Sequence, residues 1–186
     1  MAEISQLMYT DMVWLAAGAI FLVVYFILRK KLSHHALFSF KYENFLKSIL
    51  IPILSSFIVL SLFRFISGIP LMEGRITSWF GWVSFLITGP FFEELFLRGL
   101  VLGGSFYLSS KLRNKYASYF FIALGFLLQL FVFVWIHGYS ETVRVLYLVI
   151  IGLLYSALFL FSKREVLPAM IAHAVTNLII ILGVFA

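Results

Sequence analysis

No cysteine occurs among the 186 residues, so disulfides and thiolate chemistry are excluded and the redox compartment leaves no mark on the sequence. Charge is scarce as well. Asp, Glu, Lys and Arg make up 12% of the chain, against about 25% in a soluble domain. Hydrophobic residues reach 63%, and the mean hydropathy is +1.06. Those values exclude a soluble globular domain and point to an integral membrane protein. Met1 to Asp11 contain no Lys or Arg. They lack the basic n-region of a cleavable signal peptide, so the first apolar run reads as a retained span. There is no internal repeat and no low-complexity linker, and one membrane domain, 1–186, accounts for the chain.

What the chain does have is long apolar runs. A membrane-crossing helix needs about 20 mostly apolar residues. Met12 to Leu28, Ser48 to Phe65, Tyr116 to Ile136, Val145 to Phe161 and Val166 to Ala186 fit that length roughly. Trp79 to Ser110 is too long for one span. Gly89-Pro90 offers a break, because proline disfavours helix before it and suits the start of the next. The sequence therefore predicts a short re-entrant piece, Trp79 to Thr88, and a span from Phe91 to Ser110. The expected fold is all-α: a polytopic membrane helix bundle of about six transmembrane helices plus that re-entrant helix. Basic residues mark cytoplasmic loops. With the N-terminus outside, the inner loops hold ten of the fourteen: Arg29, Lys30, Lys31, Lys41, Lys47, Lys111, Arg113, Lys115, Lys163 and Arg164.

Ionisable groups within apolar spans are costly and are candidates for function. They concentrate in Gly89-Pro90-Phe91-Phe92-Glu93-Glu94-Leu95-Phe96-Leu97-Arg98-Gly99. Glu94 and Arg98 are i,i+4 neighbours in the favourable order for an ion pair. Glu93 lies roughly 100° around the helix from Glu94 and points elsewhere. One carboxylate reads as structural and the other as free for chemistry. A break at Gly89-Pro90 would put both in a first turn, where the macrodipole favours negative charge. The remaining polar groups within spans are His137, after Phe133-Val134-Trp135-Ile136, the i,i+4 pair His173 and Asn177, and Gln129.

These types suit one chemistry. A carboxylate beside an imidazole can take a proton from water. A second imidazole and a carboxamide can donate to a developing oxyanion. Glu93, His137, His173 and Asn177 together would make a peptide-bond hydrolase with no covalent intermediate. Plainer readings stand beside this one. Glu94–Arg98 can be a neutralised structural pair, His137 an interfacial histidine, and His173 with Asn177 interhelical glue. Gln129, Tyr155 and Ser156 read as glue. His34 and His35 lie in a basic loop and read as surface rather than metal ligands. In a straight-span picture Glu93 and His137 lie near outer helix ends. His173 lies some 12 Å from an inner end by about 1.5 Å per residue, so the depths do not match.

Glu93-Glu94-x-x-x-Arg98, Phe133-x-x-x-His137 and His173-x-x-x-Asn177, in that order on separate apolar helices, resemble the three motifs of the CAAX-protease and bacteriocin-processing (CPBP, or Abi) family. Pro168-Ala169-Met170-Ile171-Ala172-His173 is similar to the family's approach to its last motif. The resemblance covers residues 91–178. It implies a glutamate-type intramembrane protease in which Glu93 and His137 activate water, His173 and Asn177 form the oxyanion site, and Glu94 and Arg98 orient the helix. It implies no cofactor, with zinc on Glu93, His137 and His173 as the alternative. The implied partners are a peptide or protein substrate in or at the cell membrane and the lipid bilayer, with no nucleic acid. Bacteriocin processing or self-immunity are further implied roles. A non-catalytic scaffold or immunity protein would keep the same motifs as a structural network. A small carrier using Glu93 as a proton site is disfavoured by the missing repeat.

Overall fold

The computed structural model describes Val23, residues 44–68 and residues 79–183. The expected first span, Met12 to Leu28, falls outside the described residues except for Val23, and so do His34 and His35. Among the described residues every element is a helix and none is a strand. Five helices are described: α1 (Leu46–Ser67), α2 (79–109), α3 (Lys115–Ile136), α4 (Thr142–Phe161) and α5 (Leu167–Ile181). Three of them, α1, α3 and α4, are each long and apolar enough to cross a membrane. A helix suits that solvent because it satisfies its own backbone N–H and C=O groups where no water can. The result is the all-α membrane bundle that the composition implies.

The expected break at Gly89-Pro90 does not occur. Helical segments from Trp79 to Ser109 abut one another, and the junction residues Val83, Thr88, Glu94 and Leu102 all keep right-handed helical dihedrals. Two stretches of this helix, Ser84–Thr88 and Leu95–Leu102, are wound as wider π turns. The first explains how Pro90 is tolerated. In an α-helix a proline ring collides with the carbonyl four residues back. Here the Gly89 N–H bonds Ser84 O, five residues back, and the widened turn makes room. The same device precedes Pro52, where Ile51 N–H bonds Leu46 O, so α1 begins earlier than Ser48. At the far end α5 closes at Ile181 rather than running to Ala186.

Glu93 and Glu94 lie in the middle of a long helix, not in a first turn. The helix macrodipole acts only over the terminal turns, so it does not stabilise their charge. Something else must.

The helices close around α5. It packs on α1, on α4 and on the N-terminal half of α2, while α3 packs on the C-terminal half of α2 and on α4. Small residues set the close crossings, as expected between membrane helices. A Cβ on Gly125 would collide with Ser105, and one on Gly152 would stand 2.7 Å from Leu130 Cδ1 and 3.1 Å from Phe133 Cδ1. Buried Leu60, Leu97, Phe133, Leu148, Ile151, Tyr155 and Ala172 form the main core. The Ser56 hydroxyl of α1 reaches Ala172 O of α5 at 3.1 Å, beside His173. Tyr116, Phe120, Leu127, Phe131 and Trp135 on α3 face outward, an apolar surface suited to lipid. Asn114 caps α3, accepting from Tyr116 N at 2.9 Å and Ala117 N at 3.2 Å.

Candidate active site

The site begins with a charge that the core must neutralise. Arg98 and Glu94, one turn apart on α2, are both fully buried. Arg98 Nη1 donates to Glu94 Oε1 at 3.0 Å, the ion pair expected from their spacing. Arg98 Nη2 crosses to α4 and donates to Gly152 O at 3.1 Å. That reach depends on the glycine, because α3 and α4 approach too closely there for a side chain. The guanidinium lies 4.8 Å from the Phe133 ring centre and 5.4 Å from that of Tyr155. Cation–π attraction is strongest when the cation is desolvated, as here. These contacts, not a helix terminus, hold the charge in place.

Glu94 then does a second job. Its Oε1 also accepts from His173 Nδ1 of α5 at 2.9 Å. A carboxylate that already accepts from arginine can only be an acceptor here, so Nδ1 carries the hydrogen. The His173 ring is fixed from both sides, stacked on Tyr155 at 5.0 Å and 22°, and edge-on to Phe133 at 6.0 Å.

His137 follows the last turn of α3, and Gly138, in the left-handed region at φ 66°, turns the chain away after it. His137 Nδ1 donates to Phe133 O at 2.7 Å. A carbonyl only accepts, so the neutral ring keeps its hydrogen on Nδ1 and presents Nε2 as a bare base. Its ring lies 4.7 Å from the Phe133 ring, which thus contacts both imidazoles. Glu93, His173 and Arg98 all lie near enough to His137 to act on its charge.

Glu93 stands apart from the ion pair. Its Oε2 is buried with no hydrogen-bond partner. Its Oε1 leans back over Gly89, 3.9 Å from where a Cβ would stand there. Asn177, one turn after His173, donates from Nδ2 to Phe85 O of α2 at 2.7 Å. The six motif residues are therefore assembled from α2, the end of α3 and α5. The straight-span picture behind the depth mismatch fails because α2 continues past Glu93 towards its N-terminus and packs there on α5.

Sequence reasoning missed part of the frame. Tyr155, read as glue, is the stacking partner of His173 and a face for Arg98. Gly152 carries no chemical signal; only its carbonyl matters. Gln129 and Ser156 are glue as read, with Gln129 Nε2 donating to Ser156 Oγ at 2.8 Å. Among the described residues no group of three or more His, Asp or Glu side chains is placed to hold a metal ion. Each imidazole has its Nδ1 committed, to Glu94 or to Phe133 O. Those bonds leave Nε2 as the nitrogen that each ring presents.

This is the constellation of a membrane endopeptidase of the CAAX-protease type. A family model described as "Type II CAAX prenyl endopeptidase Rce1-like" matches residues 75–179, more than half of the chain. The chain belongs to that family. The match begins within the residues preceding α2 and ends in α5, so it encloses all six motif residues. Comparisons with curated proteins and with solved structures gave no significant match.

Proposed function

We propose that this protein is a glutamate-type intramembrane endopeptidase that hydrolyses a peptide bond of a protein or peptide in or at the membrane. One observation carries the reading: of two adjacent carboxylates, Glu94 is held through Oε1 by both Arg98 and His173, with only its Oε2 unpaired, while Glu93 has neither an ion-pair nor a hydrogen-bond partner among the described residues and its Oε2 is buried near His137. An unpaired buried acceptor costs free energy, and such groups mark sites where a ligand supplies the missing donor. Water is the donor that this pair suits.

In the reaction, a water bound between Glu93 and His137 loses its proton to one of them as its oxygen bonds the scissile carbonyl carbon. The carbonyl oxygen becomes an oxyanion. His173 Nε2 and the Asn177 amide donate to it. For His173 to donate from Nε2 while Nδ1 donates to Glu94, both ring nitrogens carry hydrogen at this step, and since Glu94 is already paired with Arg98, it is the oxyanion that offsets the added charge. The proton held by Glu93 or His137 then passes to the departing amine as the C–N bond breaks. Arg98 does not touch the reacting atoms; it holds Glu94, which holds His173.

The test is cleavage by the purified protein in liposomes, with peptide products read by mass spectrometry over a panel of membrane-anchored peptides, prenylated and not. Wild type cuts at least one; Glu93→Ala cuts none and unfolds at the wild-type temperature. Cleavage retained by Glu93→Ala would remove the proposal.

A further inference from the structure

We propose that Asn177 is also a positioning residue. Its amide supplies the hydrogen bond that Pro90 cannot, and so clamps α5 to the turn of α2 that leads into Glu93. The clamp itself stands on hydrogen-bond geometry alone. Its effect on turnover rests on the protease reading above.

The wide turn Ser84–Thr88 has a specific register. Gly89 N–H bonds Ser84 O, five residues back. In that register the next donor, residue 90, would serve Phe85 O. Residue 90 is proline and has no N–H. The Phe85 carbonyl is therefore left without the backbone donor that this register would give it. Asn177, far along the sequence on α5, donates to that oxygen from Nδ2 at 2.7 Å. The amide orientation is fixed by chemistry, since only the NH2 end can face a carbonyl.

Gly89 completes the device. A Cβ at this position would stand 2.9 Å from Ser84 O, closer than a side chain tolerates, so the wide turn needs glycine there. The same missing side chain leaves the space into which Glu93 Oε1 leans, 3.9 Å from the absent Cβ. Gly89, Pro90 and Asn177 thus act together. Glycine permits the turn, proline frees one carbonyl, and the asparagine of another helix takes it. Glu93 lies one turn beyond Gly89, and His173 lies one turn before Asn177. The clamp therefore sets the spacing between the free carboxylate and the second imidazole. It also fixes the amide plane, so the second N–H of Asn177 has one direction available.

The experiment is a double-mutant cycle in detergent, Asn177→Leu and Pro90→Ala, read by thermal unfolding, with cleavage measured alongside. In the wild-type background Asn177→Leu leaves the Phe85 carbonyl without its donor and lowers Tm by about 1–6 °C. In the Pro90→Ala background the restored backbone N–H serves Phe85 O, and the same substitution lowers Tm by less than half as much. Should Asn177→Leu fail to fold by itself, recovery of folding in the double variant supports the clamp and failure in both backgrounds overturns it. Equal Tm losses in the two backgrounds, or no loss in either, also overturn it. An asparagine serving only as an oxyanion donor would lower kcat and leave Tm unmoved. Because the clamp is read from Tm alone, it is tested even if no variant cleaves any peptide.

Discussion

Arg98→Met removes the cation on which the buried network turns, and its cost can be worked from the contacts. The side chain is fully buried, bonded to Glu94 at 3.0 Å and to Gly152 O at 3.1 Å. Breaking a buried pair from one side leaves an uncompensated charge and costs about 3–5 kcal/mol. At about 2–4 °C per kcal/mol for a chain of this size, Tm should fall by about 6–20 °C. Glu94→Leu alone should cost a similar amount, because it strands Arg98 instead. The double variant removes both charges. What it leaves is His173 Nδ1 without its acceptor, since Gly152 O still accepts from Ser156 Oγ at 2.7 Å. One unsatisfied buried donor costs about 1–3 kcal/mol. The double variant should therefore be more stable than either single one, a strong departure from additivity. The assay is thermal unfolding in detergent, followed by tryptophan fluorescence. Additive losses in the double variant, or a shift below about 2 °C for Arg98→Met, would refute the view that this pair and His173 form one network.

Two further outcomes follow from the same contacts. Gln129→Leu loses the interhelical bond to Ser156, which is worth about 0.6 kcal/mol on average in membrane bundles, so Tm should drop by about 1–2 °C with cleavage kept. A large loss of cleavage there would place Gln129 in the site rather than among the packing contacts. Cleavage should also be unaffected by a strong chelator of divalent metals, because Glu93 and His137 suffice to activate water. Activity abolished by the chelator and restored by zinc would return the metal alternative.

Much of the site was legible because its signals are local. Glu94 and Arg98 are one helical turn apart, and a turn is all that the ion pair needs. His173 and Asn177 share a face for the same reason. The all-α membrane fold follows from apolar runs in which no other backbone structure can satisfy itself. The misreading came from a local rule overridden by its surroundings. Gly89-Pro90 reads as a helix break, but a widened turn before the proline and a donor from a distant helix remove the two reasons for breaking. That single error produced the apparent depth mismatch and the wrong source of stabilisation for the carboxylates. The Glu94–His173 and Asn177–Phe85 bonds join residues 79 and 92 positions apart, and no spacing within one helix reports them. Tyr155 was passed over because a tyrosine in an apolar helix looks like packing until its stacking partner is known.

The division of labour between the two adjacent glutamates is the central claim, and one paired measurement tests it. Glu93→Gln and Glu94→Gln are compared in liposomes for cleavage of a membrane-anchored peptide and in detergent for thermal unfolding. The account predicts that Glu93→Gln abolishes cleavage at an unchanged Tm, whereas Glu94→Gln lowers Tm because Arg98 and His173 lose their shared anion. Wild-type cleavage by Glu93→Gln, or a fall in its Tm equal to that of Glu94→Gln, would contradict it.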